Sequence, residues 1–241
     1  AGGDVWLVES AGGKTSRLTF DASQENSSPI WSPDGSRIVF GSQRNGKWGL
    51  YQKLSNGTGN EELLVESELA KMPMSWSADG KFIAYEVADP KTGNDAWALP
   101  LTGDRKPFPI LQTPFNEGQP QISPDGKWIA YDSNETGRRE VYVQSFPPGA
   151  GKWQISSNGG QWSRWRRDGK ELFYLEATNL ASMVSVAINV SGPKFESSVP
   201  RPLFDSGYIN IGFGHTGAFW NTYAVSADGQ RFLIPRPESN L

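Results

Sequence analysis

The segment Trp31–Phe40 reads WSPDGSRIVF, and four later segments repeat its pattern. They are WSADGKFIAY at 76–85, ISPDGKWIAY at 122–131, WRRDGKELFY at 165–174 and VSADGQRFLI at 225–234. Ser-Pro-Asp-Gly is typical of a type I β-turn, in which Pro presets φ at the second position and Gly takes the last. Apolar residues alternate after each turn, as they do in a strand with two different faces. The pattern therefore predicts five copies of a strand–turn–strand unit.

The spacing of the copies indicates a β-propeller. The turn aspartates Asp34, Asp79, Asp125, Asp168 and Asp228 are 45, 46, 43 and 60 residues apart, and repeat periods of this size are typical of propeller blades. Two further strands are predicted in each of the first four units. The third strands are expected at 49–54, 95–101, 140–146 and 183–188, and the fourth at 61–66, 108–112, 153–156 and 201–205.

The fifth unit lacks its third and fourth strands, and the first residues of the chain supply two. Counted through the join of the two ends, Asp228 and Asp34 are 47 residues apart, which matches the other periods. We therefore predict one domain over 1–241, an all-β propeller of five four-stranded antiparallel blades closed by pairing of N- and C-terminal strands. Its repeats are centred near 31–66, 76–112, 122–156, 165–205, and 223–241 completed by 4–20. The alternative is part of a six-bladed or larger propeller.

Composition excludes several kinds of site. The 241 residues contain no Cys and a single His, so disulfides, thiolate metal sites and multi-histidine metal sites are excluded. The net charge of −3 gives no electrostatic reason to expect binding of nucleic acid. The sequence contains no run of about 18 apolar residues, so no membrane-spanning segment is predicted. The turn aspartates are expected to accept hydrogen bonds from the backbone of their own turns rather than to bind a metal ion. No cofactor, metal or catalytic residue is predicted.

The repeats resemble the TolB-type, WD-like propeller repeat over nearly the whole chain. Segments such as SSPIWSPDGSRIVF, FNEGQPQISPDGKWIAY and EVYVQSFPPGAGKWQIS also resemble the C-terminal propeller regions of bacterial serine/threonine kinases and DNA-binding regulators. The resemblance implies an extracytoplasmic, periplasmic or surface-exposed sensor or interaction domain of a bacterium. It also implies binding on the face that carries the loops between blades and between second and third strands.

On that face the resemblance selects ten candidate binding residues. They are Glu25, Asn26, Lys71, Glu117, Gln119, Gln161, Trp162, His215, Trp220 and Asn221. The loops between second and third strands add Arg44, Asn45, Asn94 and Arg138. The segment 205–222 contains the one large departure from the repeat period, and its aromatic residues suit either a binding loop or a plug over the last blades.

Two functions from different classes fit these observations, beside a third hypothesis of an accessory propeller that belongs to a peptidase. The first is a monomeric, non-enzymatic binding scaffold whose protein, peptide or small ligand binds at the channel mouth, where the central channel that the resemblance implies opens on the face with these loops. The alternative is a propeller enzyme, a lyase or glycosidase, using carboxylates at the channel mouth such as Glu25 and Glu117. Fold alone does not decide between them.

Overall fold

A computed structural model of the chain describes residues 3–20, 25–149, 151–176, 182–192, 194–206 and 223–234. All regular secondary structure in these ranges is β-strand, and four antiparallel sheets correspond to the first four predicted blades. Blade 1 contains β3 (Glu25–Trp31), β4 (Arg37–Arg44), β5 (Lys47–Leu54) and β6 (Glu62–Ser67). Blade 2 contains β7 (Lys71–Trp76), β8 (Phe82–Asp89), β9 (Gly93–Pro100) and β10 (Phe108–Leu111).

The next two sheets repeat this order, with one addition. Blade 3 contains β11 (Glu117–Ile122), β12 (Trp128–Ser133), β13 (Glu140–Ser145) and β14 (Lys152–Gln154). Blade 4 contains β15 (Gln161–Trp165), β16 (Glu171–Glu176), β17 (Ser182–Ser191) and β19 (Arg201–Asp205). A short strand that the sequence pattern does not predict, β18 (Lys194–Ser197), pairs with the far end of β17. The predicted four-stranded antiparallel architecture is confirmed.

The repeated turn is built as its sequence predicts. In the turn at Asp125, the N–H of Gly126 donates to the carbonyl of Ser123 over 2.9 Å, and the carboxylate accepts from the N–H of Lys127 over 3.1 Å. Gly126 has a φ of 71°, which a glycine adopts without steric cost. The aspartates of the other four turns accept the equivalent backbone hydrogen bond.

Neighbouring blades pack through apolar side chains that alternate along the second and third strands. Tyr85, Tyr131 and Tyr174 are fully buried at equivalent positions of β8, β12 and β16. The partly buried Trp165 contacts the core shared by blades 3 and 4, and its indole N–H donates to the Gln121 carbonyl of the preceding blade over 2.9 Å. Trp31 occupies the same repeat position in blade 1 but is 56% exposed.

Two two-stranded sheets flank the four blades. The first contains β1 (Trp6–Val8) and β2 (Thr15–Arg17), and its connected residues Val5 and Leu18 pack on blade 1. The second contains β20 (Ala224–Val225) and β21 (Phe232–Leu233), which packs on Phe173 of blade 4. In the ranges that the structure describes, no strand pairing joins the two sheets, so closure of a five-blade ring stays a prediction.

Candidate functional site

The loops between second and third strands and the connections between blades share one face, which we call the loop face. Hydrogen bonds join them across blades 2 and 3. The N–H of Asn94 donates to the side-chain oxygen of Asn116 over 3.2 Å, and the N–H of Asn116 donates to the side-chain oxygen of Asn134 over 2.8 Å. These three asparagines hold two hairpin loops and one inter-blade connection in fixed relation.

The predicted binding residues differ in their accessibility. We call the first strands of blades 1 to 4, which are β3, β7, β11 and β15, the inner strands. Glu25 is exposed at the start of β3, and Trp162 is half-buried in β15. The other described candidates are buried at or near the starts of inner strands: Asn26, Lys71, Glu117, Gln119 and Gln161. Glu25 and Glu117 lie in different sheets, those of blades 1 and 3. His215, Trp220 and Asn221 lie outside the described residues.

Three of the buried residues have partners within the protein. Asn26 donates through its side-chain amide to the carbonyl of Gly3 over 3.1 Å. Lys71 donates to the Leu69 carbonyl over 3.0 Å and to the Ser67 hydroxyl, and burial lowers the pKa of its ammonium to about 8. Glu117 accepts from the Thr113 hydroxyl, and burial raises the pKa of its carboxyl. These contacts anchor the connections of the loop face to the inner strands.

The inner strands share a β-bulge that the sequence pattern does not reveal. The pairing register shifts in all four inner strands, and Ser28, Gln119 and Trp162, each six residues before the turn aspartate, have φ values of 52°, 56° and 57°. Blade 2 has Pro73 at this position, whose ring fixes φ at a negative value and which has no N–H. Bulges of this kind re-aim backbone groups out of the ladder.

Two buried carboxylates receive the re-aimed N–H groups of the following blade. Glu86 in blade 2 accepts from the N–H of Gln119 in blade 3 over 2.5 Å. Asp132 in blade 3 is stabilised by backbone hydrogen bonding from Trp162 in blade 4 and from Gly118. Glu86 and Asp132 both stand seven residues after their turn aspartate, so the contact recurs from one blade to the next.

The two carboxylates also approach one another at Gly118. A side-chain Cβ placed there would lie 2.7 Å from Asp132 Oδ1, 3.1 Å from Glu86 Oε1 and 3.1 Å from Arg139 Nη1. The two carboxylate oxygens are thus at most about 6 Å apart. Arg139 donates to Asp132 Oδ1 over 2.8 Å and partly balances the two negative charges.

Burial dominates the electrostatics of this cluster. It raises the pKa of Glu86 to about 7, because a charged carboxylate loses its hydration there and the Gln119 N–H only partly compensates. It also raises the pKa of Asp132, against the opposing charge of Arg139. Since neither residue is more than 1% exposed, this pair has no access to a substrate and serves the contact between blades.

Sequence reasoning missed Glu86 and Asp132, although a signal was present. The second strands read IAYE and IAYD, with a single acid after an apolar run. Blade 1 has Gly41 at this position, where a Cβ would lie 2.4 Å from the Lys71 carbonyl of blade 2. Glu86 and Asp132 thus each meet a backbone N–H of the next blade, whereas Gly41 precedes a blade that has Pro73 at the bulge position and approaches the Lys71 carbonyl instead.

Two absences hold for the part of the chain that the structure describes. No group of three or more His, Asp or Glu side chains is arranged to hold a metal ion. The described residues form no helix with the length and apolar character needed to cross a membrane.

Comparison with solved structures gives the fold. The chain superposes on TolB from Acinetobacter baumannii with a TM-score of 0.66 at 17% identity, over 95% of this chain and 53% of that one. For the putative TolB from Agrobacterium tumefaciens the TM-score is 0.66 at 19% identity, over 84% and 75% of the two chains. The chain therefore has the fold of the TolB propellers, as its repeats predict.

Enzymes also share this fold. An oligogalacturonate lyase from Vibrio parahaemolyticus superposes with a TM-score of 0.57 at 14% identity, over 82% of this chain and 59% of that one. A structure from a study of prolyl endopeptidases superposes with a TM-score of 0.52 at 16% identity, over 81% of this chain and 32% of that one. The fold alone therefore leaves both a binding scaffold and an enzyme open.

Sequence comparison finds peptidases among curated proteins, and no family model matches. The chain is 30% identical over 102 residues to tricorn protease homolog 1 of Streptomyces coelicolor, which is 42% of this chain and 10% of that protein. It is 24% identical over 167 residues to the uncharacterized peptidase YuxL of Bacillus subtilis, which is 55% of this chain and 25% of that protein. The chain thus matches a quarter or less of the length of these two relatives.

Proposed function

We propose that the chain is a non-enzymatic binding scaffold that recognises a protein or peptide through its loop face. The observation that carries this proposal is the hydrogen-bonded series Asn94–Asn116–Asn134, which fixes the loops of blades 2 and 3 as a rigid platform. Phe115, the neighbour of Asn116, is 41% exposed on this platform. Exposed aromatic side chains on fixed loops are common anchors of protein interfaces.

Burial of the close carboxylate pair further supports binding over catalysis. A glycosidase needs two carboxyl groups about 5–9 Å apart that both reach the substrate. Glu86 and Asp132 come close enough to one another, but both are buried and engaged between blades. We extend the proposal to an extracytoplasmic location in a bacterium and to a monomeric state, in keeping with the resemblance of the repeats.

Photo-crosslinking from two opposite faces tests the proposal. A photoreactive phenylalanine analogue replaces Phe115 on the loop face or the exposed Lys127 on the turn at the opposite ends of the strands. We expect a discrete protein adduct in cells of the source bacterium from position 115 and none from position 127. Equal adducts from both positions, or none from position 115, would overturn loop-face binding.

A propeller enzyme is the second candidate, favoured by the similarity to two peptidases and by the fold of the lyase. It predicts hydrolysis of peptides or cleavage of oligogalacturonates by the purified chain. Turnover that Glu25→Gln at the exposed start of β3 abolishes, and that Glu68→Gln, an exposed control, leaves intact, would establish this candidate in place of the scaffold.

A further inference from the structure

We propose that Arg138 forms a subsite for a carboxylate group of the bound peptide, in a pocket that blade 3 opens on the loop face. This inference rests on the proposed function and adds to it the chemistry of the ligand. The pocket has a volume of about 440 Å³ and is lined by Thr136, Gly137, Arg138, Glu140 and Gln154. It lies beside the platform, because Asn134 belongs to the same hairpin loop as Thr136 and Gly137.

Arg138 is held in place although its side chain is 58% exposed. Its Nε donates to Glu140 Oε1 over 2.6 Å, and its Nη2 donates to the carbonyl of Ser157. Glu140 is 1% exposed and also accepts from the Ser156 hydroxyl and from the N–H of Gly159. A buried acid thus positions a surface guanidinium, and the conformational freedom of the arginine is lost before any ligand arrives.

The positioned guanidinium keeps unused donors. A guanidinium has five N–H groups, and the two hydrogen bonds to Glu140 and Ser157 use two of them. Gln154 uses one amide hydrogen on the Ser156 carbonyl and keeps the other. Glu135, the other acid of this hairpin loop, is paired with Lys152. The pocket therefore offers donors from Arg138 and Gln154 to a ligand acceptor.

The charge of the pocket indicates which acceptor fits. Arg138 and Glu140 form one ion pair and Lys152 and Glu135 another, so these four charges sum to zero, and a phosphate group with two charges would add twice the uncompensated charge that a carboxylate adds. A carboxylate has one charge and two coplanar oxygens, which match two parallel N–H groups of a guanidinium. The geometry therefore favours a carboxylate, from an acidic side chain or from a peptide C-terminus.

NMR titration of the isotope-labelled protein with short peptides tests the subsite. The probes are acetyl-Ala-Glu-Ala-amide, acetyl-Ala-Ala-Ala with a free C-terminus, and the neutral control acetyl-Ala-Gln-Ala-amide. We expect one or both carboxylate probes to shift the NMR signals of the Gly137 N–H and the Arg138 Nε–H, with at least tenfold weaker binding to Arg138→Gln. Arg201→Gln, on the exposed strand β19, serves as the matched control and should bind as the wild type does.

A second variant guards against misfolding of Arg138→Gln, which leaves Glu140 without its arginine. Gln154→Ala keeps that ion pair and should weaken the same probes severalfold. Tighter binding of inorganic phosphate than of either carboxylate probe would overturn the ligand class. Equal shifts with the glutamine probe, or unchanged affinity in Arg138→Gln, would overturn the subsite, whereas the adduct from position 115 would still report on the scaffold itself.

Discussion

Glu86 shows how one residue connects two blades. Its carboxyl group is buried in blade 2 and accepts a hydrogen bond from the bulged backbone of Gln119 in blade 3. The charged groups that face it are Asp132 and Arg139, which repel and attract its negative form respectively. Because desolvation outweighs the favourable contacts, the carboxyl group holds its proton up to neutral pH.

Titration of Glu86 predicts a pH dependence of stability. The folded pKa is about 7 and the ordinary value 4.5, so the folded state binds more protons between these values. The contribution of the protonated Glu86 to the free energy of unfolding is fully present below pH 4.5. It is lost as the pH rises through about 7, which lowers the free energy of unfolding by about 3 kcal/mol. Glu86→Gln keeps the acceptor oxygen and cannot ionise, so its stability should match the wild type near pH 4 and exceed it near pH 8.

Urea unfolding at both pH values measures this difference. Glu68→Gln, at an exposed position that has no ion pair with any other described residue, should change neither stability nor its pH dependence. A Glu86→Gln protein that is less stable than the wild type at pH 8 would show that the ionised carboxylate stabilises the contact between blades.

At the scale of the element, the turn sequence carried most of what was predictable. In four turns the Ser hydroxyl donates to the Asp carboxylate, and Arg166 does so in the turn at Asp168. In all five the Gly N–H donates to the carbonyl three residues before it, so local sequence sufficed to place the turns. Strand β18 was missed because it pairs with the extended end of β17, a contact outside the repeat. The bulges at Gln119 and Trp162 were missed because they depend on an acceptor in another blade. The same reason concealed Glu86 and Asp132, whereas five of the seven predicted site residues that the structure describes are buried.

The turns predict the effect of proline at two positions. Ala78 and Ala227 stand where Pro33 and Pro124 stand in the equivalent turns, and their turns have the same Gly-to-Ser hydrogen bond of 2.9 Å. Ala78→Pro and Ala227→Pro should therefore each be neutral or stabilise by about 0.4–1 kcal/mol, since proline restricts the unfolded chain. Thermal unfolding measures both.

The same turns predict a loss of stability when their glycine is replaced. Gly126→Val forces a branched residue to positive φ and should lower the free energy of unfolding by about 1 kcal/mol or more, which thermal unfolding also measures.

At the scale of the whole molecule, the exposure of Trp31 marks an uncovered face. The equivalent Trp165 is partly buried against the preceding blade, whereas the face before blade 1 leaves Trp31 exposed. Trp6 on β1 and Leu233 on β21 are also exposed, at 55% and 75%. These are the positions that pairing of the terminal half-blades would cover in the closed ring that the repeat period predicts.

Closure can be tested with an engineered disulfide, because the chain contains no cysteine. In blades 2 and 3, Ala84 pairs with Ala98 and Ala130 with Val143, and the same register would pair Leu233 with Leu7. Leu7→Cys with Leu233→Cys should form an intramolecular disulfide on mild oxidation. The control Leu7→Cys with Val225→Cys should not, because β20 would be separated from β1 by β21. Absence of the first disulfide in folded protein would favour a larger propeller.

The contacts between blades have a consequence for how such a chain can be rearranged by recombination. Gly41 leaves room for the Lys71 carbonyl of blade 2, and Glu86 accepts from the N–H of Gln119 in blade 3, so each of these two blades has a surface matched to its own successor. Removing blade 2 by an in-frame deletion would place Gly41 against Gln119, whose bulged N–H would have no acceptor. The blades resemble one another in sequence, but the residues at each contact fit only one neighbour. The blades therefore cannot be exchanged or deleted without loss of these contacts.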